Sequence, residues 1–247
     1  MNTFISPSII VRVREIGESD LLVTFFTRDR GLRRGVAKGA RKSRKRFVNC
    51  LDLLCLAELE YRPGKGDLCL ITSGKLLHAH PRLRKDFSAL ARASYMVELA
   101  EILFPWGVVS KEMFDLLRES LRFLEEDPNP RSLLMAFELR AMELGGYGMD
   151  LKKCCHCGRD YEGKGTAVFL KEKGGIACLR CARPSKEAPE LNPEAVKYLA
   201  NLQSGALKSA LSAAVGKEIM DLLGSVLRLH REYHLGLRLK SLHHLGV

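Results

Sequence analysis

Four cysteines, Cys154, Cys157, Cys178 and Cys181, fall in two C-x2-C pairs separated by twenty residues. A two-residue insert lets both sulfurs of a pair reach one tetrahedral ion, and an intervening segment of that length returns as a hairpin. This is the spacing of a four-cysteine zinc ribbon. With all four positions filled by thiolates there is no open position for a reactive water, so one Zn2+ is expected here in a structural role. The excess negative charge has Lys152, Lys153, Arg159, Arg180 and Arg183 close by in sequence to offset it. Cys155 and His156 sit inside the first pair, and neither has the two-residue spacing to Cys157, so both are expected to point away from the ion.

A second concentration of chemistry lies in "RDRGLRRGVAKGARKSRKRF", Arg28 to Phe47, with ten Lys or Arg against the single acid Asp29. Such a run repels itself unless an anion arrives. Gly31, Gly35 and Gly39 permit close backbone approach, and long side chains can neutralise successive phosphates. Arg33, Arg34, Lys38, Arg41, Lys42, Arg44, Lys45 and Arg46 are therefore the candidate nucleic-acid-binding residues, against the plainer readings of a solvated face or a localisation signal. Self-repulsion predicts that "AKGARKSRKR" is the most mobile part of the N-terminal segment when no nucleic acid is bound. Nothing presents a helix to a groove, so contact should be led by the nucleic-acid backbone and not by base sequence.

Motifs for catalysis are absent. Neither "GVAKGARKS" nor "GKGT" satisfies the nucleotide-binding phosphate loop, no G-x-S-x-G or H-E-x-x-H occurs, and the acids are scattered over helix surfaces. His230, His234, His243 and His244 lie in a basic C-terminal stretch and read as surface residues. The expectation is a protein without enzymatic activity.

The whole chain carries a net charge of +11 with a pI near 9.4, which calls for an anionic partner. Residues 1–80 contribute +7, residues 81–150 contribute −3 and residues 151–247 contribute +7. A composition of 46% apolar and 28% charged residues is that of a globular protein. No apolar run approaches the ~18 residues of a membrane span. "MNTFISPSIIVRVREIG" lacks the basic region that leads a signal peptide, so the cytoplasm is the expected compartment. Cysteines there are reduced, leaving Cys50, Cys55 and Cys69 as small core residues.

These groups must be positioned by two kinds of element. "IIVRVREIG", "LLVTFFT", "LLCLAELEY" and "DLCLITSGKLL" have the alternation and β-branched content of strands, with "RPGKGD" as a turn, which suggests a small barrel. Strand periodicity puts Phe25, Phe26, Phe47 and Tyr61 in its core instead of under nucleic-acid bases. Beyond Pro81 the period is helical. "DFSALARASYMVELAEILF" presents Phe87, Leu90, Ala91, Val97 and Leu103 on one face, Ser110 caps a second helix closed by "DPNP", and a third ends at Gly145-Gly146. "TAVFL" and "GGIAC" are the strands of the cysteine hairpin. Asn192 with Pro193 restarts the helices, and the last runs near "KEIMDLLGSVLRLHREYHL".

In this order the chain resembles the RecO family of bacterial recombination mediators. The likeness is carried by "VREIGESDLLVTFFTRDRGLRRGVAKGARKSRKRF", "FELRAMELGGYGMDLKKCCHCG", "CLRC" and "REYHLGLRLKSLHHLG". The resemblance implies an α+β multidomain protein: an OB-fold barrel (1–80), a helical domain (81–150 and 186–247), and an inserted zinc module (151–185). It also implies binding of single- and double-stranded DNA, annealing of complementary strands, and help, with RecR, in loading RecA onto DNA coated by single-strand binding protein. The family's metal ligands map onto the four cysteines, and its basic region onto Arg33 through Arg46. The acidic tail of a single-strand binding protein would suit a groove rimmed by Arg92, Arg131 and Arg140. An RNA-binding module and a zinc-supported nuclease are the alternatives from other classes.

Overall fold

Five strands, β1 (Phe4–Ile16), β2 (Asp20–Thr27), β3 (Gly31–Ala37), β4 (Leu56–Pro63) and β5 (Leu68–His78), close into a barrel in the order β1-β2-β3-β5-β4. Only β3 and β5 run parallel; every other pair is antiparallel. This is a five-stranded OB-fold barrel. The computed structural model describes residues 2–64, 66–126, 131–205, 207–208, 215–236 and 239–244, so "DPNP" lies outside the described residues.

Alternation accounts for the barrel interior. On β4 the inward residues are Ala57, Leu59 and Tyr61, while Leu56, Glu58 and Glu60 are half-buried. Phe25, Tyr61, Ile10, Val23 and Ile71 meet in one core, joined by Phe47, Cys50, Leu51 and Cys55 from the long β3–β4 connection. Phe25, Phe26, Phe47 and Tyr61 are all 5% exposed or less, which leaves no face for a base to stack on. Leu54 precedes β4 in left-handed backbone and does not continue that strand.

The barrel strand missing from the sequence reading is β3, inside the basic run. Arg33 next to Arg34 breaks the alternation, and two glycines suppress strand propensity. Both glycines are required by close approach. A Cβ on Gly31, at φ 66°, would sit 1.9 Å from the Val108 carbonyl oxygen, and one on Gly35 would sit 2.8 Å from Ile71 Cγ1.

Two helices belong to the barrel's compact unit, which comprises residues 1–128 with 243–247. Helix α1 (Phe87–Leu103) starts at Asp86, whose carboxylate accepts from the amides of Ser88 and Ala89. It buries Ala89, Ala93, Met96 and Ala100, whereas Phe87 is 69% exposed, against the expected inner face. Helix α2 (Lys111–Glu126) is capped by the Ser110 hydroxyl accepting from Met113 N–H at 3.0 Å. It docks on the barrel through Phe114, stacked on Phe26 at 6.4 Å, and through Asp115, which accepts from Arg28 at 2.9 Å.

Residues 129–242 form the second unit. Helices α3 (Arg131–Leu144), α4 (Pro193–Ser204) and α5 (Lys217–Leu235) surround a small sheet of β6 (Ala167–Leu170), β7 (Gly175–Cys178) and β8 (Glu190–Leu191), ordered β7-β6-β8. Asn192 caps α4 by accepting from Ala195 N–H at 2.8 Å. α3 and α5 are joined by an ion pair, Glu138 to Arg231 at 2.9 Å, with both side chains less than a tenth exposed. Glu138 is thus not one of the surface acids the helix pattern suggests.

His230 also departs from its expected surface position. It is 2% exposed, donates from Nε2 to the Tyr147 carbonyl at 2.7 Å, and stands edge-on to Phe169. Burial holds its pKa down at about 4, below the ordinary value of 6.5. Between those values the unfolded chain takes up the proton and the folded one does not. The neutral ring's contribution is therefore complete above pH 6.5 and is lost as pH falls toward 4, an effect of about 3 kcal/mol. Urea melts at neutral and mildly acid pH should show the second unit of wild type weakening more steeply than that of His230→Leu. Parallel losses in the two proteins would show that His230 is not the group responsible.

Candidate metal centre and nucleic-acid interface

β6 and β7 build the cysteine site from the hairpin expected of it. Cys178 ends β7, and tight turns follow each leading cysteine, with Gly158 N–H donating to the Cys154 carbonyl at 2.9 Å and Cys181 N–H to the Cys178 carbonyl at 2.8 Å. The four Sγ atoms lie within 4.8 Å of one another, and Cys157 and Cys178 are 3.9 Å apart. A tetrahedral ion with bonds of 2.3 Å needs sulfurs about 3.8 Å apart, so the tetrad fits a metal ion of zinc size.

The four thiols do not titrate alike. Burial acts to raise the Cys154 thiol but is outweighed by backbone N–H groups of Cys157, Cys178 and His156, which bring it to about 6. Hydrogen bonding with Cys178 and then Cys157 pushes Cys181 up to about 12. Four thiolates cannot crowd together without a cation to share. Cys155 and His156 are not among the grouped donors, as their spacing indicates. The Cys155 amide donates instead to the Ile176 carbonyl at 2.8 Å.

The basic run is divided by the fold. Arg33 and Arg34 stand on β3, whereas Lys38, Arg41, Lys42, Arg44, Lys45 and Arg46 belong to the connection after it. Arg33 is half-buried and the other seven are exposed. That connection has local structure. Ala40–Lys42 makes a turn of 3-10 helix, Asp20 accepts from Gly39 N–H at 2.8 Å, and Arg46 donates to the Lys38 carbonyl at 2.7 Å. Arg41 pairs with Glu15 at 3.1 Å. Lys38, Lys42, Arg44 and Lys45 have no ion-pair partner among the described residues.

Where β3 begins, Arg30, Arg33 and Arg34 line an open cavity of about 930 Å³ with Phe4, Tyr61, Leu68 and Trp106. The Arg34 guanidinium lies 5.0 Å over the Trp106 ring, and Arg30 lies 3.6 Å over Phe4. Sequence reasoning missed Arg30 and Trp106. The available signal was a lone tryptophan between two helix breakers, Pro105 and Gly107, where core packing does not call for one. Cys69 is half-buried; it packs against the barrel core and also lines this cavity.

Of the arginines expected to rim a groove, two are engaged inside the second unit. Arg140 donates to the Leu202 and Gly205 carbonyls at 2.9 and 2.6 Å, and Arg131 pairs with Asp221 at 2.8 Å. Among the described residues no helix is long and apolar enough to cross a membrane.

A five-stranded OB barrel with a cationic strand, joined to a helical unit that carries a metal-competent cysteine tetrad, defines the class of protein. The family Recombination protein O N terminal matches residues 1–80, and Recombination protein O C terminal matches residues 84–243. DNA repair protein RecO of Desulfatibacillum aliphaticivorans is 35% identical over 245 residues, covering 96% of this chain and 94% of that protein. DNA repair protein RecO of Anaeromyxobacter sp. (strain Fw109-5) is 36% identical over 239 residues, covering 94% and 91%. The chain belongs to the RecO family, and its role is in DNA repair and recombination.

Proposed function

We propose that this chain is a non-catalytic DNA-binding mediator. It holds single- and double-stranded DNA by the phosphate backbone, anneals complementary strands and, with RecR, helps load RecA onto DNA coated by single-strand binding protein, in the bacterial cytoplasm. One Zn2+ on Cys154, Cys157, Cys178 and Cys181 supports the fold of the second unit. The observation that carries the reading is the set of exposed cations without ion pairs among the described residues, Lys38, Lys42, Arg44 and Lys45, following a strand whose arginines line an open cavity. OB folds bind oligonucleotides on the face of strands 2 and 3, which is where Arg33 and Arg34 lie.

Charge supports it further. Ten Lys or Arg between Arg28 and Arg46 stand against a single acid of that run, Asp29. A cationic surface of that density lets two polyanions approach each other by lowering their mutual repulsion, which is what annealing without catalysis requires. Nothing in the arrangement needs a reactive water or a nucleophile.

If about five phosphates are neutralised, log K for a labelled oligonucleotide should fall against log salt with a slope of about −3.5 on single strands and −4.5 on duplex. Replacing Arg44 and Lys45 by Ala should flatten each slope by about 1.5. A wild-type slope near −1 would sink the reading. Complementary oligonucleotides pre-coated with single-strand binding protein provide the functional assay. Accelerated annealing supports the mediator, whereas strand cleavage, or preference for structured RNA without annealing, opposes it.

A further inference from the structure

Outside the cysteine tetrad, the described residues contain one other group of metal-competent donors, His78, His80 and Glu125. They come from three places in the barrel's unit. His78 is the last residue of β5, His80 lies just beyond it, and Glu125 is in the last turn of α2. The His78 Nε2 is 2.7 Å and the His80 Nδ1 3.1 Å from one and the same oxygen, Glu125 Oε2. The two rings meet edge to face at 4.4 Å.

Three features make this a built site. His80 is 3% exposed and sits at φ 45°, a left-handed backbone rarely adopted by a residue with a side chain. That conformation accompanies a ring nitrogen aimed at the carboxylate instead of at solvent. The other carboxylate oxygen, Oε1, accepts from Arg82 N–H at 3.2 Å, which fixes the plane of the group. His78 is half-exposed, so a path to the site from solvent exists.

We propose that His78, His80 and Glu125 form a second metal site, which takes a borderline divalent cation such as Zn2+ and clips the end of α2 to the end of β5. Two imidazoles and one carboxylate suit that class and not Mg2+ or Ca2+, which prefer oxygen donors. Ligand bonds near 2.0–2.1 Å set N···O separations of about 3.3 Å in a tetrahedral shell, so on binding the His78 contact would open by about 0.6 Å and the His80 contact by about 0.2 Å. The hydrogen bond to Oε1 is the outer support such a ligand usually has. Three protein donors leave the fourth position to solvent.

Equilibrium dialysis of the full chain against Zn2+, with bound metal counted by mass spectrometry, tests the site. Wild type should hold two equivalents, His78→Ala one and Cys157→Ser one. Co2+ separates the two centres spectroscopically, because only the cysteine site gives an intense sulfur-to-metal charge-transfer band, and His78→Ala should keep that band while losing the weaker nitrogen–oxygen absorption. His78 is half-exposed, so its removal should leave the fold intact, and circular dichroism checks this. Glu125→Gln repeats the test from the helix side. One equivalent in wild type, unchanged in His78→Ala and Glu125→Gln, would overturn the proposal and leave the three residues as a hydrogen-bonded cluster.

Discussion

Replacing Cys178 by Ser is expected to destabilise the second unit by more than about 4 kcal/mol while changing intrinsic DNA affinity less than about threefold. Cys178 serves twice. Its sulfur is one corner of the tetrad, and its amide donates to Cys154 Sγ at 3.4 Å. It also closes β7, paired with Ala167 of β6. Serine offers a poor ligand to a soft-leaning site, so the ion would be lost and with it free energy that exists only in the folded state. A chelator applied to wild type should reproduce the shift in calorimetric melting. The DNA-contacting residues proposed above belong to the other unit, so oligonucleotide anisotropy at fixed salt should be nearly unmoved. Unchanged melting with selective loss of DNA binding would make the cysteine hairpin itself a contact surface.

Legibility in the sequence followed how local each signal was. The cysteine pairs, the hairpin between them and the Asn192 cap depend on residues a few positions apart, and each stands where its spacing indicates. Four of the five barrel strands show their alternation openly. β3 does not, because its apolar contacts are divided between Leu32, Val36 and Ala37, and its glycines are set by neighbours distant in sequence, Val108 and Ile71. No window around residue 31 contains that information. The basic run was conspicuous as charge, but its division into a strand part beside an aromatic cavity and a connection part tied by Asp20 is a tertiary fact.

The histidines and acids of the helices failed for a related reason. A helix-face pattern treats a charged residue as solvated, which holds on average and breaks where two elements bring opposite charges together. Glu138 and Arg231 are ninety-three positions apart. His230 shares a helix with Arg231 and is buried beside it in sequence, with its partner at Tyr147. Glu125 gathers two histidines from the end of β5 in the same way.

The Glu138–Arg231 pair gives the sharpest test of that physics. Glu138→Ala should cost the second unit about 3–5 kcal/mol, because it removes the buried carboxylate that the Arg231 guanidinium pairs with at 2.9 Å. The pair's own contribution is much smaller, since desolvating both ions offsets most of their attraction. Glu138→Leu combined with Arg231→Met should accordingly recover most of the loss, although neither single change does. A double-mutant cycle on urea melts reads this directly, with a coupling energy larger than the cost of the double variant. Losses below about 1 kcal/mol in both single variants would mean that the two side chains reach water and that α3 and α5 are held by apolar packing alone. The expected pattern instead makes the pair a device of register. Apolar surfaces of two helices can slide by a turn at little cost, but one buried acid can satisfy one buried arginine only at a single alignment.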